Sequence, residues 1–269
     1  MEYFQGDCQL RALSWTHRIY DFLSPHHYAR DKKVALRFAE SSAKHRLKMK
    51  LGGAFGLFIL AQVPADAGPA PTVDKTHLVF NLIREGSKIG SDVIDVDRQG
   101  GTTKVKCTTN ISVKVLGIEA YRYEHTSIEI WKDSQLVAFS SQTDDNGTKH
   151  IVTAIPVSDK LTFKIDGERS DAPRGLVPAT LWNTEFSKRS ELFDAATGKR
   201  MAIKVVDLGE ASLAWHGTAR HTHHYKINGE LDRELWFDGD VLVRLNVIGP
   251  DKSIIISDLR QSSDGEDGQ

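Results

Sequence analysis

Apolar and polar residues alternate with a period of two through most of the chain after residue 77, which is the pattern of β-strands. The alternation is clear in residues 77–83, 102–115, 120–131, 161–166 and 241–247. Asn-Gly and Asp-Gly pairs separate several of the runs, and such pairs favour tight hairpins because their backbones tolerate positive φ. This spacing predicts roughly 12–13 short strands with short connections. We therefore expect an all-β fold, an antiparallel meander that forms a single open barrel or a strongly curved sheet.

Residues 172–190 interrupt this alternation and predict a short helical or irregular insert. Two prolines and a glycine break the pattern, and residues 178–183 could form a short helical turn that begins at Pro178. A long irregular insert in a small domain is often a lid or the wall of a binding pocket. The alternative is an edge connection that packs Trp182 and Phe186 on the core.

The segment from Met49 to Ala67 resembles a secretory signal peptide. Lys50 precedes an apolar run at residues 51–63, and Ala65-Asp66-Ala67 has the small-x-small pattern that signal peptidase cleaves. The apolar run has only about 13 residues, whereas a membrane-spanning helix needs about 20. Two alternatives are a genuine N-terminal extension that uses this run as an anchor, and a buried core helix.

These boundaries predict five regions. Residues 1–48 are a doubtful leader, which is either the result of a wrongly assigned start site or a disordered segment. Residues 49–67 are the signal peptide. Residues 68–76 are a flexible lead-in, 77–260 are the β domain and 261–269 are a disordered tail. We accordingly expect a periplasmic or secreted protein without an integral membrane anchor after cleavage.

The net charge limits the possible partners, and the cysteine content limits how the domain can be stabilised. Through Ala67 the chain has 10 Lys+Arg and 6 Asp+Glu, a net charge of +4, and the remainder has 25 and 30, a net charge of −5. A mildly acidic domain is not expected to bind nucleic acid. Cys107 is the only cysteine after residue 67, so no internal disulfide can form and the core must hold the domain together.

Two polar clusters are candidates for chemistry. His221 and His223 lie two residues apart on a predicted strand, so both imidazoles face one side and could bind a metal ion. Tyr123, His125 and Glu129 also share one face and could line a cavity or act in acid–base catalysis. The sequence contains no nucleophile elbow, zinc-protease motif, phosphate loop or dinucleotide-binding turn, so no cofactor is expected.

The aromatic residues are candidates for a binding surface. Trp131, Trp182, Trp215, Trp236 and Phe163 are each either cavity wall or core. We select one set of candidate ligand-binding residues: Tyr123, His125, Trp131, Trp182 and Trp236. The expected ligand is a lipid or a small apolar or amphipathic molecule, and the sequence identifies no protein partner.

Several motifs together resemble a family of exported bacterial proteins that carry a domain of unknown function. They are residues 121–125 (YRYEH), 129–133 (EIWKD), 140–147 (SSQTDDNG), 178–183 (PATLWN) and 234–238 (ELWFD). The resemblance covers residues 77–257 and implies an exported protein with no established activity, distantly similar to periplasmic antiparallel half-barrels. It implies no catalytic residues.

The leading hypothesis from the sequence is therefore a non-catalytic binder of an apolar or amphipathic ligand in the cell envelope. One alternative is a metal-dependent or acid–base hydrolase that uses the strand histidines. Another is an envelope protein that acts through a partner surface.

Overall fold

The computed structural model describes residues 74–248 and 253–261 of the 269-residue chain, and this part contains fifteen β-strands. The strands are β1 (Asp74–Arg84), β2 (Ser87–Gln99), β3 (Thr102–Val115), β4 (Ile118–Lys132), β5 (Gln135–Asp145), β6 (Thr148–Val157), β7 (Lys160–Ile165), β8 (Glu168–Pro173), β9 (Val177–Pro178), β10 (Glu191–Phe193), β11 (Arg200–Trp215), β12 (Thr218–Gly229), β13 (Arg233–Asp238), β14 (Val241–Ile248) and β15 (Ile254–Leu259). A short 3₁₀ helix spans Thr184–Lys188. The described strands are more numerous than the pattern predicted, and many are longer.

All fifteen strands belong to one sheet, with the order β8-β7-β6-β5-β4-β3-β2-β1-β15-β14-β13-β12-β11-β10-β9. Each half of the sheet is a meander, and the first and last strands, β1 and β15, pair at its centre. Neighbouring strands are antiparallel except β9 and β10, which are parallel. The prediction of an all-β antiparallel meander is confirmed.

The two edges of this sheet are joined by a very short connection. β8 and β9 are at opposite ends of the strand order, yet only residues 174–176 separate them. Four residue steps span at most about 14 Å, whereas fifteen strands laid flat would be about 67 Å wide. The sheet must therefore roll until its edges approach each other, and because β8 and β9 do not pair, it stays an open barrel, as predicted.

The insert between β8 and β11, residues 174–199, packs inside the rolled sheet. Phe193 contacts Phe139 of β5 and Phe163 of β7 edge-on, with ring centroids 4.9 and 5.0 Å apart. On the other half of the sheet, Phe186 contacts Tyr225 and Phe237 at 5.6 and 6.2 Å. The insert thus bridges both halves and supplies much of the larger hydrophobic core.

The predicted helical turn does not begin at Pro178, and this prediction is wrong. Pro178 belongs to β9 and pairs with Phe193, and Leu181 has a positive φ of 57° that interrupts any helix there. The helical turn begins at Thr184, where the side chain of Asn183 accepts a hydrogen bond from the backbone N–H of Glu185 at 3.1 Å.

The domain boundaries can be compared with the structure only in part. β1 begins at Asp74, inside the predicted lead-in, because residues 74–77 pair with 95–98 of β2. The predicted leader and signal peptide, and most of the predicted tail, lie outside the described residues. Within residues 74–248 and 253–261, no helix has the length and apolar character needed to cross a membrane.

We expect Phe193→Ala to destabilise the domain by about 3–5 kcal/mol, because it removes a ring that is 0% exposed between Phe139 and Phe163. Leu208→Ala, at a side chain that is 49% exposed, is the control and should change stability by less than about 0.5 kcal/mol. Urea unfolding measures both. Equal losses of stability in Phe193→Ala and Leu208→Ala would show that the insert does not hold the core together.

Candidate functional site

A cavity of about 610 Å³ opens at one end of the rolled sheet, and we call it the mouth cavity. The turns after β2, β4 and β13 and the start of the 3₁₀ helix surround it. Trp131 and Trp182 are its large aromatic residues, and the rest of the lining is mainly polar: Asp74, Arg98, Gln99, Gly100, Gly101, Thr102, Thr103, Asp133, Ser134, Asn183, Thr184, Glu185 and Asp240. Its volume lies within the usual range for small-molecule sites, about 300–1,000 Å³.

A fully buried carboxylate, Glu129, holds the two tryptophans. Its Oε2 accepts hydrogen bonds from the indole N–H groups of Trp131, at 2.7 Å, and Trp182, at 3.0 Å. Its Oε1 accepts one from the hydroxyl of Thr180 at 2.6 Å. Burial raises the pKa of the Glu129 carboxyl, and these three hydrogen bonds oppose the rise. The Glu129 side chain therefore fixes both rings by accepting a hydrogen bond from each indole N–H.

The local sequence explains half of this arrangement. Side chains two residues apart on a strand share a face, so β4 turns both Glu129 and Trp131 inward. Thr180 and Trp182 come from the insert, more than 50 residues later in the chain. The two indole rings meet at a steep angle, with centroids 6.3 Å apart. Glu129 thus joins the insert to the sheet at the base of the mouth cavity.

A row of polar side chains crosses the inward face of the first half of the sheet. Asp92, Thr109, His125 and Thr143 are partners in register on β2, β3, β4 and β5. The Thr109 hydroxyl donates to Asp92 Oδ1 at 2.8 Å, and His125 Nδ1 lies 2.8 Å from Thr143 Oγ1. We call these four residues the polar row; it separates the larger core from a smaller cluster around Tyr123.

Burial changes the ionisation of two members of the polar row. It raises the pKa of Asp92 to about 6, although the hydrogen bond from Thr109 opposes the change. It lowers the pKa of His125 to about 4, although the negative charge of Asp194 opposes that change. Burial disfavours the charged form of both groups, and hence the two shifts have opposite signs.

Tyr123, His125 and Glu129 share the inward face of β4, as the alternation predicts. Tyr123 is 1% exposed and stacks on His125 with centroids 6.2 Å apart. None of the three lines the mouth cavity, where Trp131 and Trp182 are the predicted binding residues.

Trp236 is on the other face of β13 from Leu235 and Phe237 and stacks on His224, with centroids 4.3 Å apart. The remaining candidate aromatics contribute to the core. Phe163 is buried, and Trp215 packs against the core and donates its indole N–H to the Leu259 carbonyl at 3.2 Å. These three aromatics are not part of the mouth cavity.

His221 and His223 lie on β12 beside carboxylates of β11. Glu210 Oε2 is 3.1 Å from His221 Nδ1, and its Oε1 is 3.3 Å from His223 Nδ1. Asp207 Oδ1 is 2.6 Å from His223 Nε2, and this hydrogen bond is the largest cause that raises the pKa of His223. Within the described part of the chain, no group of three or more His, Cys, Asp or Glu side chains is placed to hold a metal ion.

This histidine cluster is close to the mouth cavity. It lines a second cavity, of about 370 Å³, which shares Thr184 and Asp240 with the first. Two groups that the sequence analysis treated as separate therefore meet at the same end of the molecule.

The polar row and the role of Glu129 as an acceptor for the tryptophans were not predicted from the sequence. Asp92 lies at an inward position of β2, two residues before the buried Ile94. A charged residue on the core side of an alternating strand is unusual, because burying a charge is costly. The alternation along β2 could have identified Asp92 as a charged residue on the inward face. It could not have identified Thr180, because the insert has no strand pattern.

Removing the Glu129 carboxylate should destabilise the domain. We expect Glu129→Ala to cost about 3 kcal/mol, because it takes the acceptor away from one buried donor, Trp131, and from two half-buried donors, Thr180 and Trp182. Glu129→Gln keeps an oxygen for the indoles and an amide for Thr180, so its loss should be clearly smaller. Urea unfolding gives both values, and equal losses would contradict a hydrogen-bonding role.

Asp92→Asn and His125→Gln should change the pH dependence of stability in opposite directions. Asp92 has a folded pKa of about 6 against 3.8 unfolded, so its favourable contribution is full below pH 3.8 and is lost as pH rises through 6. His125 has a folded pKa of about 4 against 6.5, so its contribution is lost as pH falls from 6.5 to 4.

Relative to wild type, Asp92→Asn should therefore gain stability as pH rises from 4 to 6, and His125→Gln should gain as pH falls from 6.5 to 4. Urea unfolding at several pH values measures this, with Asp159→Asn, at an exposed carboxylate in the turn after β6, as the control. Parallel curves for all three variants and wild type would contradict the assignment.

Comparisons with known proteins agree with this fold. A crystal structure of a β-barrel-like protein of domain of unknown function DUF1849 from Brucella abortus is similar, with a TM-score of 0.54 and 10% sequence identity. The similarity covers 71% of this chain and 98% of that chain and concerns the fold alone. No match was found among curated proteins. The sequence profile of the domain of unknown function DUF6134 matches residues 80–257, about two thirds of the chain, and the chain therefore belongs to the DUF6134 family.

Proposed function

We propose that the protein is a non-catalytic binding protein of the cell envelope that holds an amphipathic ligand in the mouth cavity. The observation that carries the proposal is the pair of tryptophans fixed by Glu129 at the base of this cavity. Rings that hydrogen bonds already hold in place lose little freedom when a ligand binds, and such preorganisation favours affinity.

The composition of the cavity supports a ligand with an apolar part and a polar part. The half-buried Trp182 offers apolar area and Trp131, only 5% exposed, adds little, whereas charged and hydroxyl side chains make up most of the rim. The insert fills the space between the two halves of the sheet with Phe186 and Phe193. A ligand would therefore lie at the mouth rather than deep within the sheet.

The ionisable candidates favour binding over catalysis. Both oxygens of Glu129 already accept hydrogen bonds, and both ring nitrogens of His223 face carboxylates. His125 has a pKa of about 4, well below the value at which a general base is most effective near neutral pH. The envelope location rests on the signal-peptide pattern of residues 49–67, which lie outside the described part of the structure.

Native mass spectrometry of the protein purified from its own host tests the proposal. We expect a bound small molecule on a polypeptide of about 202 residues, which is 269 minus the 67 residues removed with the signal peptide. Thr184→Trp, which adds bulk at the rim of the cavity, should lose the bound molecule. Trp236→Phe is the control. Trp236 lies on the face of β13 opposite the buried Leu235 and Phe237 and does not line the cavity, so this variant should keep the bound molecule.

Circular dichroism would confirm that both variants keep the wild-type fold. Repeated absence of any adduct from the wild-type protein would contradict ligand binding. Recovery of the intact 269-residue chain would contradict export.

A further inference from the structure

We infer that the polar part of the ligand in the mouth cavity is a cation, either a quaternary ammonium group or a protonated amine. This inference rests on the proposed function, because it specifies the ligand of the same site. The cavity and its aromatic base define the site, and the charges around the rim determine which head group it accepts.

The rim has a surplus of negative charge. Among the described residues around the cavity, four are acidic and Arg98 is the single basic side chain: Asp74, Asp133, Glu185 and Asp240 are the acids. Arg98 Nη1 lies 3.3 Å from Asp74 Oδ2, so these two charges offset each other. Glu185 is paired outside the cavity with Lys188, at 2.8 Å, and Arg189, at 3.5 Å.

Asp133 and Asp240 remain without an ion pair among the described residues. They lie in the turns after β4 and β13, strands of opposite halves of the sheet, and both line the mouth cavity. Asp133 is two residues after Trp131 on the same strand end, which places a carboxylate and an indole at the same cavity. A cation entering there meets uncompensated negative charge from two directions.

The indole ring of Trp182, which is the half-buried one of the two, adds to this preference. An organic cation is attracted to the electron-rich face of tryptophan, and sites for quaternary ammonium groups commonly combine aromatic rings with carboxylates. An anionic head group would be repelled by Asp133 and Asp240, while Arg98 is already engaged with Asp74. A neutral head group would gain nothing from either carboxylate beyond hydrogen bonds.

Three amphiphiles with the same octyl chain test the inference: octyltrimethylammonium, octyl glucoside and octanoate. Isothermal titration of the protein purified from its host, after bound material has been removed, gives each affinity below the micelle concentration. We expect octyltrimethylammonium to bind at one site at least about tenfold more tightly than octanoate at low salt. The difference should shrink as salt is added, because exposed carboxylates are screened.

The double variant Asp133→Asn plus Asp240→Asn should reduce this preference to less than about threefold, because it removes the two unpaired charges and keeps the side-chain shape. Asparagine also tolerates the positive φ of 49° at position 133. Asp159→Asn is the matched control, since Asp159 is an exposed carboxylate in the turn after β6 and does not line the cavity. It should keep the full preference.

The failures of the two proposals are distinguishable. Equal affinities for the three amphiphiles, all lost in Thr184→Trp, would leave ligand binding intact and overturn the cation inference. Tighter binding of octanoate, or no binding of octyltrimethylammonium, would also overturn it. A preference that survives in the double variant would show that other groups select the charge. The native mass spectrum decides separately whether the protein carries a ligand.

Discussion

The short connection between β8 and β9 sets the shape of the sheet and, through it, the position of the insert and of the candidate site. Three residues join the two edges of a fifteen-strand sheet, so the sheet has to roll, and its inward face encloses the two hydrophobic clusters. The edges do not pair, and the chain that follows β9 turns into the interior instead. Aromatic residues of the insert, chiefly Phe186 and Phe193, then fill the space that a closed barrel would have to fill with strand side chains.

The same insert creates the candidate site. Its segment at Thr180–Trp182 reaches β4, where Glu129 binds it through one hydroxyl and one indole. A buried carboxylate without a cation is costly, and three donors reduce that cost. Fold and site therefore share one interaction: the contact that anchors the insert also holds the tryptophans at the base of the mouth cavity. The rim carboxylates, in turns of both halves of the sheet, then give the cavity its charge.

Much of the fold could be predicted from alternation and turn chemistry. Tyr123, His125 and Glu129 share the inward face of β4 because side chains two residues apart on a strand point the same way. The same rule put Trp236 and Trp131 on strands but did not say which face of each strand is inward. The helical turn was predicted too early in the chain because proline often occupies the first position of a helix. In the structure Pro178 instead pairs with Phe193 as part of β9.

The all-β class, the antiparallel connections and the alternation within each strand follow from the amino-acid sequence, since they depend on residues near one another in the chain. Three contacts depend instead on the tertiary structure: Thr180 and Trp182 meet Glu129, the histidines of β12 adjoin the same cavity, and Asp92 and His125 belong to one row on the inward face. These contacts join residues 16 to more than 50 positions apart, and periodicity carries no information about which distant positions the rolling of a sheet brings together.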